Sequence, residues 1–307
     1  MLQYLVILLD DMATSYCHYD NPKRERRLIA LDDLKATILF AMKENLMIQF
    51  VYPDYELPKD HKTEIETIDH NKIAPVAANI SGTDVVVFNG WDDFSGDYLS
   101  PGKAFVIRTT KQELFTNYRK LSKTLETVTR LNIVITDADR FTETDFSTYK
   151  NVLDELCLKL KELYTRGLSP QLNILTDRLM LDKMNNCNAG VENITLAPNG
   201  KFYICPAFYL EDESDSVGDL KTGLNIKNTQ LYKLDHAPLC RICDAYQCKR
   251  CIWLNRKTTL EVNTPSHEQC VVAHLERNAS RELLMYFPER EIKEIAYLDP
   301  FDVRKEF

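Results

Sequence analysis

The sequence predicts an α/β protein carrying a small cysteine-rich domain, and three features predict it. Short apolar runs alternate with amphipathic helical stretches over the first 180 or so residues, the pattern of right-handed βαβ crossovers around a mainly parallel sheet. Past residue 187 that alternation stops, and short strand signals flank the turn Pro198-Asn199-Gly200. Seven of the nine cysteines fall within residues 187–270, leaving only Cys17 and Cys157 before them.

Strands are expected at residues 3–9, 46–52, 85–88, 104–109, 131–136 and 171–176, all short, apolar and rich in β-branched positions. Leu34, Ile38, Leu39, Ala41 and Met42 recur at helical spacing behind Asp32 and Asp33, which can cap the helix. Leu114, Tyr118, Leu121 and Leu125 form a second stripe. Tyr149, Val152, Leu153, Leu156, Leu160 and Leu163 form a third, with Gly167 as its stop. Cys157 lies within that third helix and reads as a small buried hydrophobe.

Six strands suit either an open doubly wound sheet or an incomplete (β/α) barrel, and both gather ligands at the carboxyl ends of the strands. Those ends are the loop 10–22 and Tyr52-Pro53-Asp54-Tyr55-Glu56. The expected division is 1–182 for this α/β part, 183–275 for the cysteine-rich part and 276–307 for a C-terminal helix and charged tail. Two further strands are expected at 193–197 and 201–204, and the acidic stretch 211–219 reads as a solvated loop.

The formal charge of −8 argues against general affinity for nucleic acid or anionic membrane. The apolar run 4–9 is too short for a signal peptide, and Asp10 and Asp11 end it. No stretch approaches the ~20 apolar residues that span a bilayer, so the chain reads as cytoplasmic. Disulfides are disfavoured in that compartment, which turns clustered cysteines towards metal ligation.

Cys187 and Cys205 flank the hairpin with the spacing C-x12-G-x4-C, and the hairpin folds its two ends together. Cys240, Cys243, Cys248 and Cys251 follow as C-x2-C-x4-C-x2-C, and Cys270 stands alone after a gap. Thiolates suit iron–sulfur clusters and zinc. A structural zinc site separates its two C-x2-C knuckles by about 15–20 residues, against four here, and seven thiols exceed what one zinc needs. Iron–sulfur is therefore the preferred reading and zinc the alternative. Arg241, Lys249 and Arg250 would favour deprotonated thiols. His236 and His267 flank the region as substitute ligands or, on the plainer reading, as exposed histidines.

Residues 187–270 resemble the auxiliary-cluster extension, called SPASM, of radical S-adenosylmethionine (SAM) peptide-modifying enzymes. Cys187-Asn188-Ala189-Gly190 and Ile194-Thr195-Leu196-Ala197-Pro198-Asn199-Gly200-Lys201-Phe202-Tyr203-Ile204-Cys205 carry the likeness. The compact set departs from the common form by one residue fewer in each of its last two gaps. The resemblance implies that Cys187, Cys205 and Cys251 hold one 4Fe-4S cluster and that Cys240, Cys243, Cys248 and Cys270 hold a second. An eighth cysteine, present in some members soon after the first, has no counterpart at 188–204, which implies an open iron in the first cluster.

The N-terminal part then resembles an incomplete (β/α)6 radical-SAM barrel whose chemistry is missing. The family's C-x3-C-x2-C after the first strand is replaced by Asp10, Thr14 and Cys17, and its glycine-rich turn by Tyr52-Pro53-Asp54-Tyr55-Glu56. SAM binding and conventional SAM cleavage are therefore not expected.

Over nearly its whole length the chain resembles CXXX repeat peptide maturases, including Leu8-Leu9-Asp10-Asp11, Ser15-Tyr16-Cys17-His18-Tyr19 and Ala41-Met42-Lys43-Glu44-Asn45-Leu46-Met47. That resemblance implies a maturation factor for a cysteine-repeat precursor peptide, working with a companion maturation protein. The alternatives are a non-enzymatic peptide-binding or partner subunit with structural clusters or zinc, and an electron-transfer partner. Cys17, at the ligand-facing end of strand one beside His18, is the candidate catalytic nucleophile.

Overall fold

The structure, a computed structural model, describes residues 2–286 apart from 93, 101 and 249. Lys249 and the tail 287–307 lie outside the described residues. In chain order the elements are β1 (Tyr4–Leu8), α1 (Leu31–Glu44), β2 (Met47–Val51), α2 (Lys59–Ile65), β3 (His70–Pro75), β4 (Val85–Asn89), β5 (Ala104–Thr109) and α3 (Lys111–Thr124). Then come β6 (Arg130–Ile135), α4 (Glu143–Thr165), β7 (Gln171–Leu172), β8 (Asn193–Leu196), β9 (Phe202–Tyr203), α5 (Pro206–Glu211), α6 (Ile252–Thr259) and α7 (His267–Leu284).

Two compact units share these elements, and each is assembled from separate stretches of chain. The first holds the described residues up to 87 with 187–238 and 251–264. The second holds 88–186, 239–250 and the described residues from 265 onward.

In the first unit β1 is central. It pairs in parallel with β2 on one side (Leu5 opposite Ile48) and with β8 on the other (Leu5 opposite Ile194). β3 and β4 continue the parallel ladder beyond β2, and β9 closes the far edge antiparallel to β8. Leu5, Ile7, Phe50 and Ile194 are fully buried, as strands covered on both faces require.

β3 was not expected from the sequence, because His70-Asn71-Lys72-Ile73-Ala74-Pro75 offers no apolar run. Helix α1 also differs in detail. Leu34, Ile38 and Ala41 face inward, but Leu39 and Met42 are 65% and 62% exposed, since 100° per residue carries them off that face. Asp32 and Asp33 occupy the first turn rather than the cap, where they meet the positive end of the helix; Ala30 stands at the cap position without a side-chain bond. The expected hairpin joins β8 to β9, and Gly200 takes φ +73° in its turn, a backbone that glycine tolerates without strain.

In the second unit β5, β6 and β7 pair in parallel, and α4 packs between α3 and α7. Thr110 with Glu113 and Thr142 with Asp145 form reciprocal capping boxes for α3 and α4. The whole expected stripe of α4 is buried, and Gly167 at φ +80° follows its end. β7 stops after two residues because the next asparagine turns inward. Asn173 spans β6 with its side chain, accepting from Ile133 N (2.7 Å) and donating to Ile133 O (3.0 Å).

Arg130 meets Asp177 through two charge-assisted bonds of 2.6 and 2.8 Å, with both side chains at most 5% exposed. Cys157 is buried and donates to Ala279 O at 3.5 Å. Among the described residues no helix is long and apolar enough to cross a membrane.

Removing one member of a buried ion pair leaves the other charge unmatched. Asp177→Ala should cost about 3–5 kcal/mol in urea unfolding, and exchanging both Arg130 and Asp177 for apolar residues should recover most of it. Burial, then Asp154 and Glu282, push the Cys157 thiol up to about 12 from 9.0. The stability this contributes is full below pH 9 and is lost as pH rises towards 12. A Cys157→Val variant should lack that alkaline loss, which reaches about 1.4 kcal/mol per pH unit in the parent chain.

Candidate metal centres

The seven clustered thiols fall into two sets, and each set lies wholly inside one compact unit. Cys240, Cys243, Cys248 and Cys270 line a single cavity of about 350 Å³ in the second unit. Tight backbone turns position the first three. Cys243 N–H donates to Cys240 O (3.1 Å) and Cys248 N–H to Ala245 O (2.7 Å), while Ala245 N–H donates to Cys243 Sγ (3.4 Å). Cys270 comes from the first turn of α7, which is fixed by the reciprocal Ser266–Gln269 capping box.

Burial raises the pKa of Cys240, Cys248 and Cys270, and neighbouring thiols of the same set raise each further. Arg250, itself buried on the cavity wall, pulls Cys240 the other way, and Arg178 does so for Cys248. Arg241 is exposed and Arg250 acts on these thiols, while Lys249 lies outside the described residues.

Sequence reasoning missed His274. It lies one turn beyond Cys270 on α7, lines the same cavity and places Nε2 3.5 Å from Cys243 Sγ. Burial, then Arg277, lower its pKa and favour the neutral imidazole. The i, i+4 spacing from Cys270 was the available signal. His236 and His267 are exposed.

Cys187, Cys205 and Cys251 belong to the first unit. Cys205 and Cys251 stand at the cap positions of α5 and α6. Cys251 Sγ accepts from Leu254 N at 3.5 Å. Burial and then Cys187 push the Cys251 thiol up to about 12, opposed by the amides of Leu254 and Trp253. Burial, then Cys251 and Cys187, push Cys205 well above its usual range, opposed by the amides of Ala207 and Phe208 without a closed cap bond. Cys187 is exposed, and Asn193 Nδ2 holds its carbonyl. Gly190, at φ +79°, runs so close to Ile204 and Tyr232 that a Cβ would stand 3.1–3.2 Å from their side chains.

Cys17 is half-buried in the first unit, in the long loop after β1. The same loop holds Asp10, which accepts from Met12 N (2.7 Å) and Tyr55 Oη (2.9 Å). Asp11 accepts from Arg27 Nε (3.0 Å) and from Tyr209 Oη. Tyr52 is buried, while Asp54 and Glu56 are exposed and Glu56 pairs with Lys62.

The acidic stretch 211–219 proves more than a solvated loop: Glu213 pairs with Lys23 and Arg27, both at 2.5 Å, and is held at about 2 by their hydrogen bonds against the opposing effect of burial. None of the nine cysteines, all described, forms a disulfide. Among the described residues no three His, Cys, Asp or Glu side chains are gathered to hold a single ion.

No protein-family model matches this sequence, and no curated protein matches it. Solved structures do. A structure described as histidine-tagged anSMEcpe with bound AdoMet is 11% identical, with a TM-score of 0.59 over 95% of this chain and 98% of its own. Native anSMEcpe with bound AdoMet and Cp18Cys peptide is 12% identical, with a TM-score of 0.56 over 93% and 98%. Likeness at such identity carries the fold alone: this chain has the α/β, radical-SAM-like architecture with a SPASM-like cysteine-rich part that its sequence predicts.

Proposed function

We propose that this chain is a maturation factor that binds a small cysteine-containing precursor peptide beside one or two iron–sulfur clusters, without conventional SAM radical chemistry. One observation carries the reading: the seven cysteines divide into two sets, each confined to a single compact unit. In this reading Cys187, Cys205 and Cys251 hold the first cluster, and Cys240, Cys243, Cys248 and Cys270 hold the second. The donor chemistry fits, because soft thiolates ringed by backbone amides and an arginine are what a four-iron cluster takes. Such a cluster spreads its thiolates over four irons, where zinc needs all of them within about 2.3 Å of one ion. When bound, it supplies soft coordination sites and reversible electron storage.

The chain's own residues prepare for this in two ways. Amides at Leu254 and Ala245 donate to sulfur and disperse thiolate charge. Burial keeps Cys240, Cys248, Cys251 and Cys270 protonated until a cation displaces the protons. A peptide partner is supported by the neighbour of the same fold that holds the Cp18Cys peptide.

That neighbour also binds AdoMet, but here Asp10 and Thr14 stand where the family's first two cluster cysteines would be. The Asp10 carboxylate is already engaged by Met12 and Tyr55. This engagement also favours a second reading, a companion subunit that binds peptide and performs no chemistry itself.

Anaerobic purification with iron, sulfide and zinc measured together should give about eight irons per chain for two clusters and about four for one. Stoichiometric zinc without iron would remove the cluster assignment. Cys270→Ser should reduce the metal of one set and Cys251→Ser that of the other, with the two losses additive. His274→Ala should lower the reduction potential of the second cluster, because a donor to the Cys243 sulfur is lost, while iron content stays level. An unchanged potential would remove His274 from that role. A cysteine-containing precursor peptide should bind with a saturable signal, and a serine-substituted peptide more weakly; equal binding would argue against thiol recognition.

A further inference from the structure

We propose that His274 is a reserve ligand of the second centre: when the Cys243 thiolate leaves its iron, the imidazole takes its place, which makes Cys243 the exchangeable member of its set. The inference rests on the second centre holding a cluster as proposed above. His274 Nε2 stands 3.5 Å from Cys243 Sγ, and both residues line the cavity shared with Cys240, Cys248 and Cys270.

The fold holds this pair together. Cys270 and His274 lie one turn apart on α7, so both side chains leave the same face of that helix. The helix is anchored through Glu276, which accepts from Arg178 Nη2 (2.5 Å) and Tyr149 Oη (2.8 Å). Ser280 Oγ adds a bond to Leu175 O at 2.7 Å. Asp244, the residue after Cys243, is gripped from the same helix by Arg277 and by Arg281 (2.5 Å). The turn bearing Cys243 is thereby clamped against the helix bearing His274.

These contacts also single out Cys243 among the four thiols. Its sulfur receives Ala245 N–H (3.4 Å) as well as the imidazole contact, and such donors draw electron density from a thiolate and loosen its hold on iron. Asp244, the carboxylate on the cavity wall, is committed to its two arginines. Imidazole is a nitrogen donor that suits iron. The exchange moves no electrons: an iron–sulfur bond breaks and an iron–nitrogen bond forms. The departing sulfur takes the Nε2 proton, and the half-buried ring takes another from water at Nδ1.

The test reconstitutes the full chain and its variants anaerobically with ferrous iron and sulfide, then measures iron content and electron paramagnetic resonance together. Cys240→Ala should lose the iron of its set, about four per chain. Cys243→Ala should keep that iron with an altered spectrum, and isotope-labelled histidine should reveal hyperfine coupling to nitrogen. The double variant Cys243→Ala/His274→Ala should lose the iron, and added imidazole should restore it. Equal losses in Cys240→Ala and Cys243→Ala, or retained iron in the double variant, would overturn the inference and leave the centre standing. A parent chain whose iron content does not change in Cys270→Ser would overturn both. A second measurement needs no substitution. In the loaded parent chain iodoacetamide should alkylate Cys243 ahead of Cys240, Cys248 and Cys270 while the iron stays bound. Alkylation of Cys243 only in step with iron loss would count against the reserve role.

Discussion

The pairing of β1 with β8 is the constraint on which the arrangement depends. β1 comes from the first residues of the chain and β8 from beyond residue 190, yet Tyr4 stands opposite Asn193 and Ile7 opposite Leu196. This ladder seats the hairpin of the cysteine-rich stretch on the sheet of the first unit, with Cys187 before β8 and Cys205 just after β9. Because β1 also pairs with β2, the loop that follows it is fixed at Leu9, whose N–H donates to Val51 O at 3.1 Å. A loop and a hairpin far apart in sequence are thus built onto one strand. Non-local parallel pairing of this kind is slow to form and cooperative once formed.

Burial sets the chemistry of both groups of thiols. Enclosed thiols resist ionisation, and each neighbouring thiol increases that resistance, as at Cys205 and Cys248. Amides and arginines lean the other way without overcoming it in the metal-free protein. Under the proposed reading a bound cation would make thiolates favourable there, and loading would release their protons in the same event.

Much of this was legible in the sequence, for identifiable reasons. Strands such as β5 and β6 announce themselves because burial on both faces demands unbroken apolar runs. The α4 stripe is equally plain, because every residue in it is needed in the core. β3 was hidden by its polar residues His70, Asn71 and Lys72, and β7 was overestimated because the side-chain bonds of Asn173 to β6 leave no mark in hydrophobicity. Leu39 and Met42 misled because apolar character alone does not say which way a side chain points. His274 was hidden because it lies beyond the last cysteine, and only its i, i+4 spacing from Cys270 marks it. The cysteine spacing marked a stretch of which Cys240, Cys243, Cys248 and Cys270 line one cavity, while the assignment of Cys187, Cys205 and Cys251 to the other unit depends on folding that no local spacing encodes.

The network around Asp11 has a mechanical consequence. Arg27 and Tyr209 both hold that carboxylate, and Arg27 with Lys23 also grips Glu213, so the segment after β1 is riveted to α5 and the residues that follow it. Swinging this segment aside would strip a buried carboxylate of its counter-charge. The segment after β1 therefore behaves as a rigid frame rather than a hinged door, its outline set by the ion pairs that pin it.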